Sequence, residues 1–124
     1  MQDLSCKTSR WRQLKAQLNN VDAEEFLSLH AKHPEAVIID VRTPGETSSG
    51  SLKEAIHLDY LGYDFIDRLE EMDPEATYLV YCRSGRRSIR ACTLMKNSGF
   101  TNVYNLDGGL VVWAAELQAA LQYE

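Results

Sequence analysis

Thr77-Tyr78-Leu79-Val80-Tyr81-Cys82-Arg83-Ser84-Gly85-Arg86-Arg87-Ser88 changes character twice within twelve positions. Thr77 to Tyr81 is an apolar, strand-forming run that leads straight into Cys82. After a glycine turn, Arg86 to Asn97 reads as a helix, with Ile89, Cys92, Leu94 and Met95 available for burial and Gly99 as the stop. The same alternation extends in both directions. Upstream, Ala36-Val37-Ile38-Ile39-Asp40-Val41 is apolar at successive positions and lies between Pro34 and Pro44, as suits a parallel strand covered on both faces. Ala55 to Leu58 is a shorter strand candidate, and Tyr63 to Met72 carries Phe65, Ile66, Leu69 and Met72 at helical spacing before Pro74. Downstream, Asn102 to Leu106 is a strand, Asp107-Gly108-Gly109 breaks it, and a last helix is expected from about Leu110 to Leu121. Nearer the start, Ser9 to Leu18 places Trp11, Leu14 and Leu18 on one helical face. Asn19-Asn20-Val21 is a break or a very short strand. Asp22 and Glu25 then form a capping box ahead of a helix that buries Phe26, Leu27 and Leu29. Strands alternating with helices imply an α/β fold with a mostly parallel sheet.

The chain has 124 residues, of which 44% are apolar and 25% charged, an ordinary composition for one folded domain. Thirteen Lys and Arg against eighteen Asp and Glu give a net charge of −5, which disfavours sequence-independent binding to nucleic acid. No apolar run approaches the roughly eighteen residues of a membrane span. Met1 to Lys7 lacks the apolar stretch of a signal peptide, so the expected location is the cytoplasm. The three cysteines, Cys6, Cys82 and Cys92, are too few and too scattered for a disulfide framework, and no Cys/His grouping has metal-site spacing. No metal and no organic cofactor is expected. His30 and His33 read as surface residues of a helix.

The chemistry concentrates at Cys82 to Ser88. A strand-to-helix junction at the carboxyl edge of an open α/β sheet is where such folds place their ligands. Backbone amides at the helix start are unpaired and carry partial positive charge, which stabilises a thiolate held against them. Gly85 permits the loop to curl around a ligand. Four of the thirteen basic residues, Arg83, Arg86, Arg87 and Arg90, fall within eight positions of an otherwise acidic chain, and guanidinium groups bind oxyanions in a forked geometry. Thiolate, amide cradle and arginines describe a nucleophile that attacks or carries something negatively charged. Singly, a cysteine is more often a buried hydrophobe and an arginine run a solvated helix face. The combination favours Cys82 as functional, while Cys92, among Ile89, Leu94 and Met95, reads as core and Cys6 as part of a terminus.

Cys82-Arg83-Ser84-Gly85-Arg86-Arg87-Ser88 resembles the C-x-x-G-x-R-S loop of rhodanese-homology sulfurtransferase domains. Ile39-Asp40-Val41-Arg42-Thr43-Pro44-Gly45-Glu46 resembles their D-V-R-x-x-x-E signature, and Leu106 to Trp113 their L-x-G-G-x-x-x-W ending. The three motifs occur in order, and the resemblance covers about residues 19 to 121. The resemblance implies a single domain over residues 19–124 preceded by a helical extension, 1–18, and a five-stranded, mostly parallel sheet with helices on both faces. It implies that Cys82 cycles between thiolate and persulfide. Sulfane sulfur would come from an anionic donor such as thiosulfate and pass to cyanide, a small thiol or a protein thiol. Arg83, Ser84, Gly85, Arg86, Arg87 and Ser88 would form the substrate loop, with Arg83 and Arg86 towards the mouth and Arg87 and Ser88 bracing it. Asp40 and Arg42 would support the loop by buried, charge-assisted hydrogen bonds. The chain departs from the family pattern at Thr47, Ser51 and Glu54, which stand where an aromatic, a histidine and a glycine are common.

Two other classes compete. Cysteine phosphatases share the thiolate and the arginine but space them C-x5-R, whereas Arg87 gives C-x4-R, a loop that suits a single sulfur and crowds a phosphoryl group. Alternatively the domain is a persulfide carrier, a sensor, or a protein-binding module without turnover. Retention of Cys82, Gly85 and the arginines favours the transferase.

Overall fold

The computed structural model describes residues 10–117. Helix α1 (Arg10–Ala16) leads to strand β1 (Asn19–Val21), followed by α2 (Ala23–Lys32), β2 (Val37–Asp40), α3 (Pro44–Thr47), β3 (Ile56–His57), α4 (Phe65–Glu70), β4 (Thr77–Tyr81), α5 (Arg86–Asn97), β5 (Asn102–Leu106) and α6 (Gly109–Leu117). The five strands form one parallel sheet in the order β1-β5-β4-β2-β3. Every expected strand is therefore present: β1, β4 and β5 have the expected bounds, and β2 and β3 are one residue shorter at each end. The positions expected at Cys6, Ser9 and Leu121 lie outside the described residues. No helix among those described is long and apolar enough to cross a membrane.

The apolar runs at β2 and β4 follow from covering both faces of the sheet. Ile38, Leu79 and Tyr81 point into one core with Phe26, Leu106, Leu110 and Trp113. Ile39, Val80 and Cys82 point into the other with Phe65, Leu69, Cys92, Met95 and Phe100. Alternate residues along one strand feed opposite cores, so neither face can be polar. The α2 helix begins at the expected capping box: Asp22 accepts from the Glu25 amide and Glu25 reaches back to the Asp22 amide. Its Phe26 meets Trp113 edge-to-face, with ring centroids 5.5 Å apart, and so joins α2 to α6. The α1 helix packs on the same body: Lys15 pairs with Asp107 at 2.7 Å, and the Lys96 ammonium donates to the Gln17 carbonyl at 2.7 Å.

Helix α3 is absent from the sequence reading. One turn of four residues is too short to show a period, but Pro44 at its first position and Glu46 in its first turn are start signals that could have found it. Just beyond, Glu54 has φ +68°, the one non-glycine residue with positive φ among those described. That is the position where the family pattern has glycine, which tolerates a left-handed backbone that a Cβ disfavours by about 1 kcal/mol. Glu54→Gly should therefore raise the melting temperature by about 3 °C. A thermal melt checks it, and a lowered melting temperature would show that the glutamate side chain outweighs the backbone strain.

Candidate active site

The parallel arrangement brings the carboxyl ends of β2, β3 and β4 together: Asp40 is in register with Tyr81 on one side and His57 on the other. Cys82 follows β4 directly and is fully buried. Its Sγ accepts from the Gly85 amide at 3.0 Å and the Ser88 amide at 3.4 Å, and lies 3.5 Å from the Ser88 hydroxyl. Two orphan amides at the start of a twelve-residue helix thus converge on one sulfur. Gly85 makes the curl, at φ +97°. The Ser88 hydroxyl donates back to the Gly85 carbonyl at 3.2 Å, which closes the loop on itself.

Three arginines of the loop have different surroundings. Arg87 clamps Glu46 with two parallel bonds, Nη1 to Oε1 at 2.5 Å and Nη2 to Oε2 at 2.8 Å. This pair ties α3 to α5. Arg83 is exposed and has no ion pair or side-chain hydrogen bond among the described residues. It lines an open cleft of ≈ 480 Å³ with Arg42, Glu46, Ser49, Gly50, Leu110 and Val111. Arg86 and Ser84 are exposed on the loop but do not line this cleft.

Asp40 and Arg42 are both buried and form a bidentate pair: Arg42 Nη2 donates to Asp40 Oδ2 at 2.7 Å, and Nε to both carboxylate oxygens at 3.0 and 3.1 Å. Their further bonds run to the Gly50 carbonyl and the Tyr81 hydroxyl, the latter donating to Asp40 Oδ2 at 2.7 Å. The Tyr81 oxygen accepts in turn from the Leu52 amide at 3.0 Å. This network anchors residues 50–52 and the end of β4, while Glu46 is what grips the loop. Burial pushes the Tyr81 phenol well above its usual range, so the hydroxyl stays protonated as a donor. The sequence reading did not single out Glu46 or Tyr81 as site residues. A tyrosine at the end of a strand buried on both faces was the available signal for Tyr81, since a buried phenol needs a partner.

The Arg87 clamp holds the Glu46 carboxyl at about 2, against its usual 4.5; burial opposes this, and bonds from the Thr43 amide and hydroxyl assist. A carboxyl depressed on folding contributes stability above its unfolded value and loses it as pH falls through the folded one. The clamp should thus weaken between about pH 4.5 and 2. Acid denaturation of Glu46→Gln should show a shallower fall across that window than wild type, and curves of equal slope would contradict it.

The third expected motif packs beneath the loop. The amides of Leu110 and Val111 donate to the carbonyls of Cys82 and Arg83, each at 3.0 Å. Gly109, at φ +65°, leaves room for this: a Cβ there would stand 2.5 Å from the Arg83 carbonyl oxygen and 2.6 Å from that of Cys82. Sequence reasoning saw a tight turn at Gly108-Gly109, but the close backbone approach depends on tertiary packing.

The arrangement can stabilise an anionic sulfur on Cys82 beneath a basic opening. A family model described as Rhodanese-like domain matches residues 22–116. A sulfurtransferase of Allochromatium vinosum is 32% identical over 97 residues, 78% of this chain and 89% of that protein. The thiosulfate sulfurtransferase GlpE of Pseudomonas putida is 32% identical over 104 residues, 84% of this chain and 92% of that one. Among solved structures, a polysulfide-sulfur transferase of Wolinella succinogenes superposes with a TM-score of 0.73 at 25% identity, covering 90% of this chain and 84% of that chain.

Proposed function

The chain belongs to the rhodanese-like family, in which relatives a third identical to it are sulfurtransferases, and from that premise we propose that it moves sulfane sulfur from thiosulfate or a similar anionic donor, through a persulfide on Cys82, to a thiophilic acceptor. The observation that carries the reading is the pair of amides, from Gly85 and Ser88, converging on the Cys82 sulfur. The Cys82 thiolate attacks the outer sulfur of thiosulfate. A new S–S bond forms, the S–S bond of the donor breaks, and sulfite leaves with the bonding electron pair. The persulfide so formed carries its charge among the amides at the start of α5. An acceptor such as cyanide then attacks the outer sulfur, thiocyanate departs, and the thiolate returns with the pair. No proton or electron is left over. Arg83, unpaired among the described residues and lining the cleft, draws in the donor anion; Arg87 is committed to Glu46 and holds the loop's shape. Cys82 is buried under its own loop, with Arg83 and Ser84 exposed at the tip.

Steady-state kinetics test the cycle. Varying thiosulfate at several fixed cyanide concentrations should give parallel double-reciprocal lines, because sulfite leaves before cyanide enters. Intersecting lines would mean that both substrates must bind together, and the persulfide cycle would fall. Because the C-x4-R loop crowds a phosphoryl group, an aryl phosphate should show no hydrolysis above buffer. Turnover that disappears in Cys82→Ser would contradict this.

A further inference from the structure

We propose that Arg42, beyond bracing Asp40, binds the oxyanion end of the sulfur donor. This rests on the reading of Cys82 as the sulfur-carrying nucleophile and names the donor class: a sulfane sulfur joined to a sulfonate-like group. Arg42 is only 7% exposed, yet its guanidinium is not fully engaged. Nε and Nη2 donate to Asp40, and Nη2 also donates to the Gly50 carbonyl at 2.6 Å. Nη1 has no acceptor among the described residues. The same side chain lines the ≈ 480 Å³ cleft beside Arg83 and also a second cavity of ≈ 360 Å³. Nη1 is not a fully buried atom, so it opens onto that space and offers it the N–H groups of a guanidinium. A donor oxyanion in the cleft accepts from them.

Two further features favour Arg42 over a passive wall. Its position is fixed: Asp40 grips it in fork geometry, and Asp40 is itself held by the Tyr81 hydroxyl and the Arg42 amide. Arg83 is exposed and unanchored by comparison, so it attracts while Arg42 positions. The negative charge in the cleft is also already paired. Glu46 is the one carboxylate among its lining residues, and both its oxygens are taken by Arg87. In the transfer step Arg42 forms no covalent bond and moves no proton. Its Nη1 donates to sulfite oxygens as the donor S–S bond breaks and charge gathers on the leaving group.

Arg42→Lys tests this. A lysine keeps a charge facing Asp40, but its single ammonium has no second branch to offer the cleft. In a two-step cycle, kcat/KM for each substrate reports only its own half-reaction. The variant should lose about tenfold in kcat/KM for thiosulfate, the loss expected for one charge-assisted hydrogen bond, while kcat/KM for cyanide stays within about twofold. Equal losses in both would mean that Arg42 only braces the fold, and no loss in either would remove it from the site; both overturn the proposal. Should the variant fail to fold, wild type still decides. On titration with inorganic sulfate, the Arg42 Nε–H signal in a nitrogen-15 NMR spectrum should shift saturably over the range in which sulfate competes with thiosulfate, and an unmoved signal would overturn the assignment. The sulfate titration reads anion binding alone, so it separates this proposal from a failure of Cys82 to accept sulfur.

Discussion

Cys82→Ala should bring thiocyanate formation from thiosulfate and cyanide down to the rate of the mixture without protein, a loss of roughly a thousandfold or more. The proposed nucleophile is removed while the arginines and the cleft stay in place. The variant leaves the Gly85 and Ser88 amides without their sulfur acceptor, a cost of about 2 kcal/mol, so folding is checked by a thermal melt in parallel. Cys92→Ala is the matched control. Cys92 lies in the middle of α5 and is 1% exposed, and burial pushes its thiol well above the usual range, with the nearby Cys82 adding to the rise. A thiol so held does not ionise near neutral pH and cannot take sulfur. Its alanine variant should keep most of the activity. Activity surviving in Cys82→Ala, or lost in Cys92→Ala with the fold intact, would move the chemistry to another residue.

Gly109→Ala is expected to damage both the fold and the loop it packs against. The added Cβ meets backbone on the Cys82 loop, at 2.5 Å from the Arg83 oxygen, 2.6 Å from the Arg83 carbonyl carbon and 2.6 Å from the Cys82 oxygen. Backbone cannot swing aside as the end of a side chain does. Either α6 lifts away from the loop, breaking the Leu110 and Val111 hydrogen bonds to Cys82 and Arg83, or the loop itself shifts. Overpacking together with a left-handed backbone at φ +65° should cost about 3 kcal/mol, and the melting temperature should fall by about 10 °C. Sulfur transfer should fall as well, because the displaced carbonyls belong to Cys82, the proposed nucleophile, and its neighbour. Gly45→Ala is the contrast: a Cβ at Gly45 meets nothing within 4 Å. A Gly109→Ala protein that melts within about 2 °C of wild type would show that this contact is soft.

These two residues also mark what the sequence could reveal. Cys82 was legible because its whole setting is local: strand, cysteine, glycine turn, arginines and helix follow one another within one stretch, and the amides that hold the sulfur belong to residues three and six positions on. Strands β2 and β4 were legible because a strand covered on both faces must be apolar throughout. Gly109 was legible only as a turn. The reason for glycine there is a carbonyl twenty-six positions earlier in the chain, and no local pattern encodes that approach. Glu46 and Arg87 are 41 positions apart, as are Asp40 and Tyr81; both pairs exist because neighbouring parallel strands bring their carboxyl ends together. Asp40 and Arg42 were expected to brace the loop. They do make the buried charge-assisted pair, but its bonds reach Gly50 and Tyr81, and the grip on the loop comes from a glutamate on a one-turn helix too short to announce itself.

The central claim is that Cys82 carries sulfur, and the mass of the intact protein tests it most directly. Reduced wild-type protein is mixed with thiosulfate, freed of small molecules and weighed, with Cys82→Ala treated alongside; cyanide is then added and the protein weighed again. The account predicts a gain of one sulfur atom on wild type only, lost on addition of cyanide as an equal amount of thiocyanate appears. A gain of equal size on Cys82→Ala, or no gain on wild type with thiosulfate or with any other sulfane donor, would contradict it.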